Sequence, residues 1–361
     1  MKVIRPGVEI HIPPMPDKPE EIYRFIERIG RTCYKSEEKI TDESHVAFIE
    51  RLRNAGHWAM LEHYIFILEV TQRMYDDMFN EIKSFSSLDA NFSNYIGFLK
   101  FSTMNESYEF DKRRCFVSMS STAISNLWKC PIVLQFADSA FAYLCSWIKE
   151  KYPLLIKEPE GAYENISPAR MRHLEPNSNI PEGIKTITVD ELASLVHDKA
   201  TYDSYMLHAS MTVKFICDRG VTHELVRHRP ASFAQESTRY CNYANGKYGN
   251  EITVIEPCFF EEGSSKYEQW YLGCTEAEAA YSELMRMSCK PQEARSVLPN
   301  SLKTEIWMTA RLCEWDHMLG LRCDKAAHPQ MRELCIPLAK SLSDLESVLL
   351  GIPVNLGGHE E

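Results

Sequence analysis

Apolar positions near the N-terminus predict a strand, a helix, a second helix and a second strand. Residues 2–12 and residues 64–70 are strand-like runs. Between them, the apolar residues of segment 22–29 recur at helical spacing, which predicts a helix with one buried face. Residues 43–54 are expected to form the second helix.

The C-terminal part carries a clearer pattern. Polar and apolar residues alternate over residues 211–217, which predicts a strand with a buried face. A short helix is expected over residues 221–229, ended by Pro230, and residues 231–239 are expected to form a loop. Three longer helices are predicted over residues 266–288, 301–322 and 329–350.

The middle of the chain, residues 71–200, differs in character. It contains Ser- and Asn-rich stretches and one predicted helix over residues 132–150, and no chemical motif was found in it. We therefore interpret residues 71–200 as an insertion or accessory subdomain rather than a separate catalytic unit.

Composition and charge exclude several classes of function. The net charge of -11 disfavours general binding of nucleic acid, which requires a strongly basic face. No apolar signal segment or membrane-spanning run is apparent, so we expect a cytoplasmic protein without membrane contact. The 12 cysteines are scattered without a Cys-x-x-Cys pair, which predicts reduced thiols and no metal site.

Candidate chemistry concentrates in residues 227–240, which we call the motif segment. It contains three arginines, one histidine and several hydroxyl groups. Arginine donates from a planar fork that matches phosphate and carbonyl oxygens, so the segment predicts an anion site, most simply for a nucleotide. A Ser237–His228 nucleophile is disfavoured because no Gly-x-Ser-x-Gly elbow is present. Both glycine-rich phosphate loops are also missing, so side chains must bind any phosphate.

The spacing of these residues resembles a known family. Arg-His-Arg at 227–229, seven further residues, Ser237 and then Arg239-Tyr240 resemble the signature of the flavin-dependent thymidylate synthases. Three other segments resemble the same family, namely Gly56-His57 with Glu62-His63, the Ala-Arg-x-x-Leu-Pro run at 294–299, and Leu321-Arg322. The resemblance covers roughly residues 20–70 and 205–345.

The resemblance implies a function and an architecture. Family members convert dUMP to dTMP with methylenetetrahydrofolate as carbon donor, FAD as cofactor and NADPH as reductant. It implies an α/β (α+β) fold of the thymidylate synthase complementing protein type, with a central, mostly antiparallel sheet flanked by helices and a long insertion. The catalytic domain would comprise residues 1–70 and 201–350, followed by a tail of residues 351–361. The resemblance also implies a homotetramer with shared active sites.

Site residues follow by position. Arg322 aligns with the arginine that activates the pyrimidine and is the expected catalytic residue. The expected dUMP contacts are Glu224, Arg227, Gln235, Glu236, Ser237, Thr238, Arg239, Arg295 and Arg322. The expected FAD contacts are His57, Arg227, His228, Arg229, Gln235, Arg311 and His317, with His57 reaching the flavin of a neighbouring subunit.

The chain departs from the family pattern mainly on the flavin side. Arg311 and His317 stand where asparagines are common, and Ala59 replaces a hydroxyl residue. Two alternatives stay open on this evidence: methylation of another uridine nucleotide by the same fold, and nucleotide binding without catalysis. Nucleic-acid binding through the arginines is a more distant alternative.

Overall fold

A computed structural model of the protein describes residues 1–97, 99–105, 113–136, 139–156, 183–246 and 249–358. The strands are β1 (Lys2–Ile4), β2 (Gly7–His11), β3 (Ile65–Val70), β4 (Lys100–Asn105), β5 (Arg113–Ser120), β6 (Ile184–Thr186), β7 (Ser210–Asp218), β8 (Ser232–Gln235), β9 (Thr253–Ile255) and β10 (Lys303–Arg311). The helices are α1 (Pro19–Thr32), α2 (Ser44–Asn54), α3 (Gln72–Leu88), α4 (Phe92–Ile96), α5 (Ser121–Trp128), α6 (Pro131–Gln135), α7 (Ala140–Lys151), α8 (Val189–Ala193), α9 (Lys199–His208), α10 (Arg219–Leu225), α11 (Ser265–Arg286), α12 (Pro291–Ala294), α13 (Leu312–Arg322) and α14 (Pro329–Leu350). Short 3-10 helices cover Glu37–Lys39, Trp58–His63 and Arg295–Val297.

The structure confirms the predicted α/β class, with helices and mainly antiparallel sheets. Strands β2 and β7, β8 and β10, and β3 with both of its neighbours pair antiparallel, whereas β1 and β9 pair parallel. The chain divides into two compact units. Each unit contains one four-stranded sheet.

The first unit comprises Met1–Ile12, Arg28–Ile40 and Met211–Glu361. Its sheet has the order β2-β7-β10-β8, with the two longest strands in the centre. Strand β10 is buried on both faces after Lys303. Both faces of β10 are therefore covered, so β10 and the helix that follows it have a fixed position within this unit.

The second unit comprises Pro13–Glu27 and Thr41–Ser210. Its sheet has the order β4-β5-β3-β6, and buried aromatic residues such as Phe66, Trp128 and Phe141 fill its core. Residues 157–182 of the predicted insertion lie outside the described part of the chain. The assignment of residues 71–200 as an insertion stays a prediction.

Strand β10 and strand β8 correct two predictions. The helix expected over residues 301–322 is a strand up to Arg311 and a helix only from Leu312. A strand covered on both faces shows no alternation of polar and apolar residues, so it is easily mistaken for a buried helix. The predicted loop 231–239 contains β8, which pairs with β10 so that Gln235 lies opposite Ile306.

One predicted strand and one predicted helix are each divided into two elements in the structure. The strand expected over residues 2–12 is two strands, separated at Arg5-Pro6, because proline cannot donate to a strand ladder. The helix expected over residues 132–150 is two helices, and the Ser139 hydroxyl caps the second one by accepting from the Ala142 amide.

The remaining predicted elements are confirmed with shifts of a few residues. They are helices α1, α2, α11 and α14 and strands β3 and β7. Helix α10 ends at Leu225, four residues before the predicted end at Arg229. A search of the described residues finds no helix with the length and apolarity needed to cross a bilayer.

Candidate active site

Arg322 lies in the last turn of α13 and is held by two partners from the end of α10 and the turn after it. Its Nε donates to Nε2 of His228 at 2.8 Å. Its Nη1 donates to the Glu224 carboxylate at 2.6 Å, and its Nη2 donates to the Glu224 backbone oxygen at 3.3 Å. We call Glu224, His228 and Arg322 the Arg322 cluster. Side chains 94 and 98 residues apart in sequence thus meet at one guanidinium.

The bond to Arg322 fixes the state of His228. The arginine Nε always carries its proton, so Nε2 of His228 must accept and the neutral ring carries its proton on Nδ1. Burial, with the nearby charges of Arg322 and His317, lowers the pKa of His228 to about 4. At neutral pH His228 therefore orients Arg322 without adding a second positive charge.

Arg322 keeps donors for a ligand. A guanidinium has five N–H groups, and three of them are used by His228 and Glu224. Within the described structure the other two, one on each Nη, are available on a side chain that is 19% exposed. They form a pair that suits a carbonyl oxygen or a negatively charged ring atom.

Local sequence explains why Glu224 and His228 lie together. The Asp218 carboxylate caps α10 by accepting from the Val221 amide at 2.7 Å. Glu224 then lies in the last turn of α10, and the amide of His228 donates to the Leu225 oxygen in the turn that follows. Pro230 ends this turn before β8 begins.

Gln235, at the end of strand β8, contacts α10, the helix that also carries Glu224. Its amide nitrogen donates to the hydroxyls of Thr222 at 3.0 Å and Thr304 at 3.4 Å, which links β8 to α10 and β10. The predicted site residue Ser237 is anchored by its backbone, whose amide donates to the Cys33 oxygen at 3.0 Å. Its hydroxyl accepts from the Arg239 amide at 3.4 Å.

Four arginines predicted at the site have exposed side chains. They are Arg227, Arg229, Arg239 and Arg295. Arg295 donates to the hydroxyl of the buried Thr238 at 3.3 Å, and the guanidinium of Arg239 lies 5.5 Å from the ring centre of Tyr240. Their charged groups are therefore more accessible to an anion than that of Arg322, which is 19% exposed.

Glu236 points into a different environment. Its side chain is 2% exposed, accepts from the Tyr243 hydroxyl at 3.1 Å and pairs with Lys303 at 3.2 Å. Because successive strand residues point to opposite faces of a sheet, Glu236 and Gln235 serve different surroundings.

The residues predicted to contact the flavin differ in their exposure and in the unit to which they belong. The side chain of Arg311 is buried at the N-cap of α13, where burial lowers its pKa. His317 is exposed on α13. His57 is exposed before the 3-10 helix Trp58–His63 of the second unit. Exposed Arg227 and Arg229 provide the cationic donors that a dinucleotide diphosphate requires, so this part of the donor set fits a flavin nucleotide.

One residue was missed by sequence reasoning. Arg219 begins α10, and its amide donates to the Asn300 oxygen at 3.0 Å. Its Nη1 is buried and has no hydrogen-bond partner among the described residues. A buried guanidinium nitrogen without a partner is unfavourable, which makes Arg219 a candidate anion contact. The spacing of the motif gave no signal for it.

Metal ligation and disulfide chemistry are not prominent in the described residues. Among them, no three or more His, Cys, Asp or Glu side chains form a group that could hold a metal ion. None of the 12 cysteines, which all lie in the described part of the chain, forms a disulfide bond, and burial raises the pKa of several, including Cys33 to about 12.

Comparison with known proteins finds relatives over the same region. A family model described as thymidylate synthase complementing protein matches residues 161–345, about half of the 361 residues. Curated relatives named flavin-dependent thymidylate synthase include those of Pyrococcus furiosus, 30% identical over 148 residues, and Thermococcus onnurineus, 34% identical over 134 residues. The first match covers 41% of this chain and 60% of the relative, and the second covers 37% and 54%. The relative of Corynebacterium aurimucosum is 30% identical over 164 residues, covering 41% of this chain and 64% of its own. The chain thus spans less than two thirds of the length of these relatives.

Proposed function

Because the chain belongs to the thymidylate synthase complementing protein family, we propose that it catalyses the flavin-dependent reductive methylation of dUMP to dTMP. The proposed carbon donor is methylenetetrahydrofolate, the cofactor is FAD and the reductant is NADPH. The observation that carries the proposal is the Arg322 cluster, in which a guanidinium is held in place with two N–H donors available.

Arg322 is the proposed catalytic residue. Methylation at carbon 5 of uracil requires the ring to become electron-rich, which places negative charge on its N3 and carbonyl oxygens. A permanently charged arginine that is already oriented stabilises that charge without reorganising during the reaction. Glu224 and His228 supply this orientation, and His228 does so in its neutral form.

Binding of the nucleotide is assigned to the exposed cations and the adjoining polar groups. We assign the phosphate to Arg239 and Arg295, whose exposed guanidinium groups are able to bind it through paired hydrogen bonds. Arg227, Gln235, Ser237 and Thr238 are proposed to complete the nucleotide site. Arg219, with its buried unpartnered nitrogen, is proposed as an additional contact to the same nucleotide.

The flavin is assigned to Arg227, His228, Arg229, Gln235 and His317, with His57 of a neighbouring subunit. When bound, the flavin would supply the hydride for the transferred carbon. These residues would bind its phosphates and orient its ring beside the nucleotide, and a homotetramer would bring His57 to the site. Arg311 is proposed to support the start of α13, because its side chain is buried there.

The test is a reconstitution with the purified protein. The absorption spectrum shows whether flavin is present, and its change on adding dUMP shows whether the nucleotide lies beside the flavin. Formation of dTMP is then measured with dUMP, methylenetetrahydrofolate and NADPH together, and with each one omitted. Product that depends on all three supports the proposal.

Matched controls distinguish the remaining alternatives. Replacing dUMP with UMP or dCMP tests the choice of nucleotide. A folded, flavin-loaded protein that binds dUMP and yields no dTMP would refute the proposed activity and favour nucleotide binding without catalysis.

A further inference from the structure

A group of buried charges lies behind the motif segment. Lys303 pairs with Glu236 at 3.2 Å and also with Glu305, and Lys214 pairs with Glu305 at 2.8 Å. Lys35 pairs with Glu305 and lies 3.7 Å from Glu236. We call these five residues, together with Tyr243, the lysine–glutamate network. Side-chain exposure is only 2% for Glu236 and 11% for Glu305.

Electrostatics indicate that the network is charged and mutually satisfied. Burial alone would raise the pKa of Glu305, but Lys303 and Lys35 lower it far below its ordinary value. Burial would lower the pKa of Lys303, and the two glutamates raise it instead. Removing the charge of Glu236 would therefore leave an excess of buried positive charge around Glu305, which is unfavourable.

The network is connected to the motif segment by consecutive contacts. The amide of Glu236 donates to the Glu305 oxygen at 2.9 Å, so the backbone and the side chain of Glu236 are both fixed. The next residue, Ser237, is bound through its amide to the Cys33 oxygen, two residues before Lys35. Lys35 itself has φ of 46°, a conformation that costs free energy in a residue other than glycine and is retained where surrounding contacts require it.

We propose that Glu236 is a positioning residue of the motif segment rather than a ligand contact. The lysine–glutamate network holds the end of β8 from one sheet face, so that Gln235 and the following Ser237 and Arg239 are presented to the nucleotide. Glu236 acts through Lys303, Lys35 and Tyr243. That the positioned residues bind a nucleotide rests on the proposed function. That the network fixes the backbone at the end of β8 does not depend on it.

The experiment compares Glu236→Gln with the double variant Glu236→Gln/Lys303→Met in the full-length protein. Hydrogen–deuterium exchange is measured for backbone amides of residues 232–241, and dUMP affinity is measured by titration. Glu236→Gln should speed exchange in this segment by ~10-fold or more, because the ammonium groups of Lys303, Lys35 and Lys214 then share the single carboxylate of Glu305. The same variant should weaken dUMP binding about tenfold, because the contact residues lose their fixed geometry.

The double variant should recover most of both losses, because it removes the uncompensated charge. A direct contact predicts the opposite: dUMP binding stays weak in the double variant and exchange stays at the wild-type rate in both. Unchanged exchange in folded Glu236→Gln overturns the proposal, whether or not the protein makes dTMP. Should Glu236→Gln not fold, Tyr243→Phe removes one hydrogen bond from Glu236 and keeps every charge, and it should give a smaller change of the same kind. Failure of the wild type to bind dUMP would concern the proposed function alone, because the exchange comparison remains valid.

Discussion

The arginines of the site fall into two groups that differ in how they are held. Arg322 is partly buried and makes three hydrogen bonds to Glu224 and His228. Arg239 and Arg295 are exposed. The guanidinium of Arg239 lies against the Tyr240 ring, and that of Arg295 donates to the Thr238 hydroxyl. A fixed guanidinium suits stabilisation of charge that develops during a reaction, since it needs no reorganisation. An exposed one suits attraction and binding of a phosphate.

The largest expected effect comes from removing the held arginine. Arg322→Ala should lower turnover by ~10³-fold or more while dUMP and flavin still bind, because the lost contact strengthens only as charge develops. Arg322→Lys is the matched control, which keeps the charge and loses the planar fork. Single-turnover rates and dUMP titrations check this. Equal loss of binding and rate in both variants would contradict a catalytic role for Arg322.

The exposed arginines should show the reverse behaviour. Arg239→Gln and Arg295→Gln should each weaken dUMP binding by ~10- to 100-fold with a smaller effect on the rate at saturation, because each loses charge-assisted bonds to a phosphate. The loss should shrink at high salt, where the wild-type attraction is itself screened. Deoxyuridine, which lacks the phosphate, should bind the variants and the wild type equally. Unequal binding of deoxyuridine would place these arginines at the ring.

Substitution of Glu224 tests whether the fixed orientation of Arg322 contributes to turnover. Glu224→Gln keeps an oxygen acceptor and the backbone bond to Arg322, and it removes the ion pair, in which the two groups lie 2.6 Å apart. We expect turnover to fall about tenfold with little change in dUMP affinity, because the arginine becomes less fixed. Turnover of Glu224→Ala should fall further, because this variant also loses the oxygen acceptor. A change confined to dUMP affinity would instead make Glu224 a nucleotide contact.

The smallest expected effect is the pH dependence that arises from His228. Folding lowers its pKa from 6.5 to about 4, so the folded state favours the neutral ring. The stabilisation from His228 is therefore complete above pH 6.5 and is lost as the pH falls from 6.5 towards 4. Urea unfolding at pH 7 and pH 5 should show a larger decrease for the wild type than for His228→Gln, which keeps an acceptor and does not titrate. Equal decreases would mean that His228 is not held neutral.

The sequence predicted most residues of the candidate site, and it predicted only part of the fold. The spacing from Arg227 to Arg239 indicated the motif segment, and the resemblance added Arg295 and Arg322. The contact between Arg322 and His228 spans 94 residues, so no local pattern could reveal it. The role of Glu236 was also hidden, because its partners Lys35 and Lys303 lie far away in the chain.

Misassigned elements have a common physical origin. Strand β10 is covered on both faces, so its residues lack the alternation that distinguishes a strand from a helix. Strand β8 has only four residues and follows a proline, so the local signals favour a loop and only its pairing with β10 makes it a strand. In both cases the deciding interaction is between distant segments.

The direct connection of β10 to α13 carries a consequence for how this protein can change in length. Arg311 ends the strand and Leu312 begins the helix, and Arg322 is the last of the 11 residues of α13, so the length of this helix sets the position of Arg322 relative to a fixed strand end. Each added residue would rotate Arg322 by about 100° around the helix axis and move it ~1.5 Å along it. One inserted or deleted residue in α13 would therefore turn the guanidinium away from Glu224 and His228. Relatives that keep the same chemistry should tolerate insertions in surface loops and conserve the length of this helix.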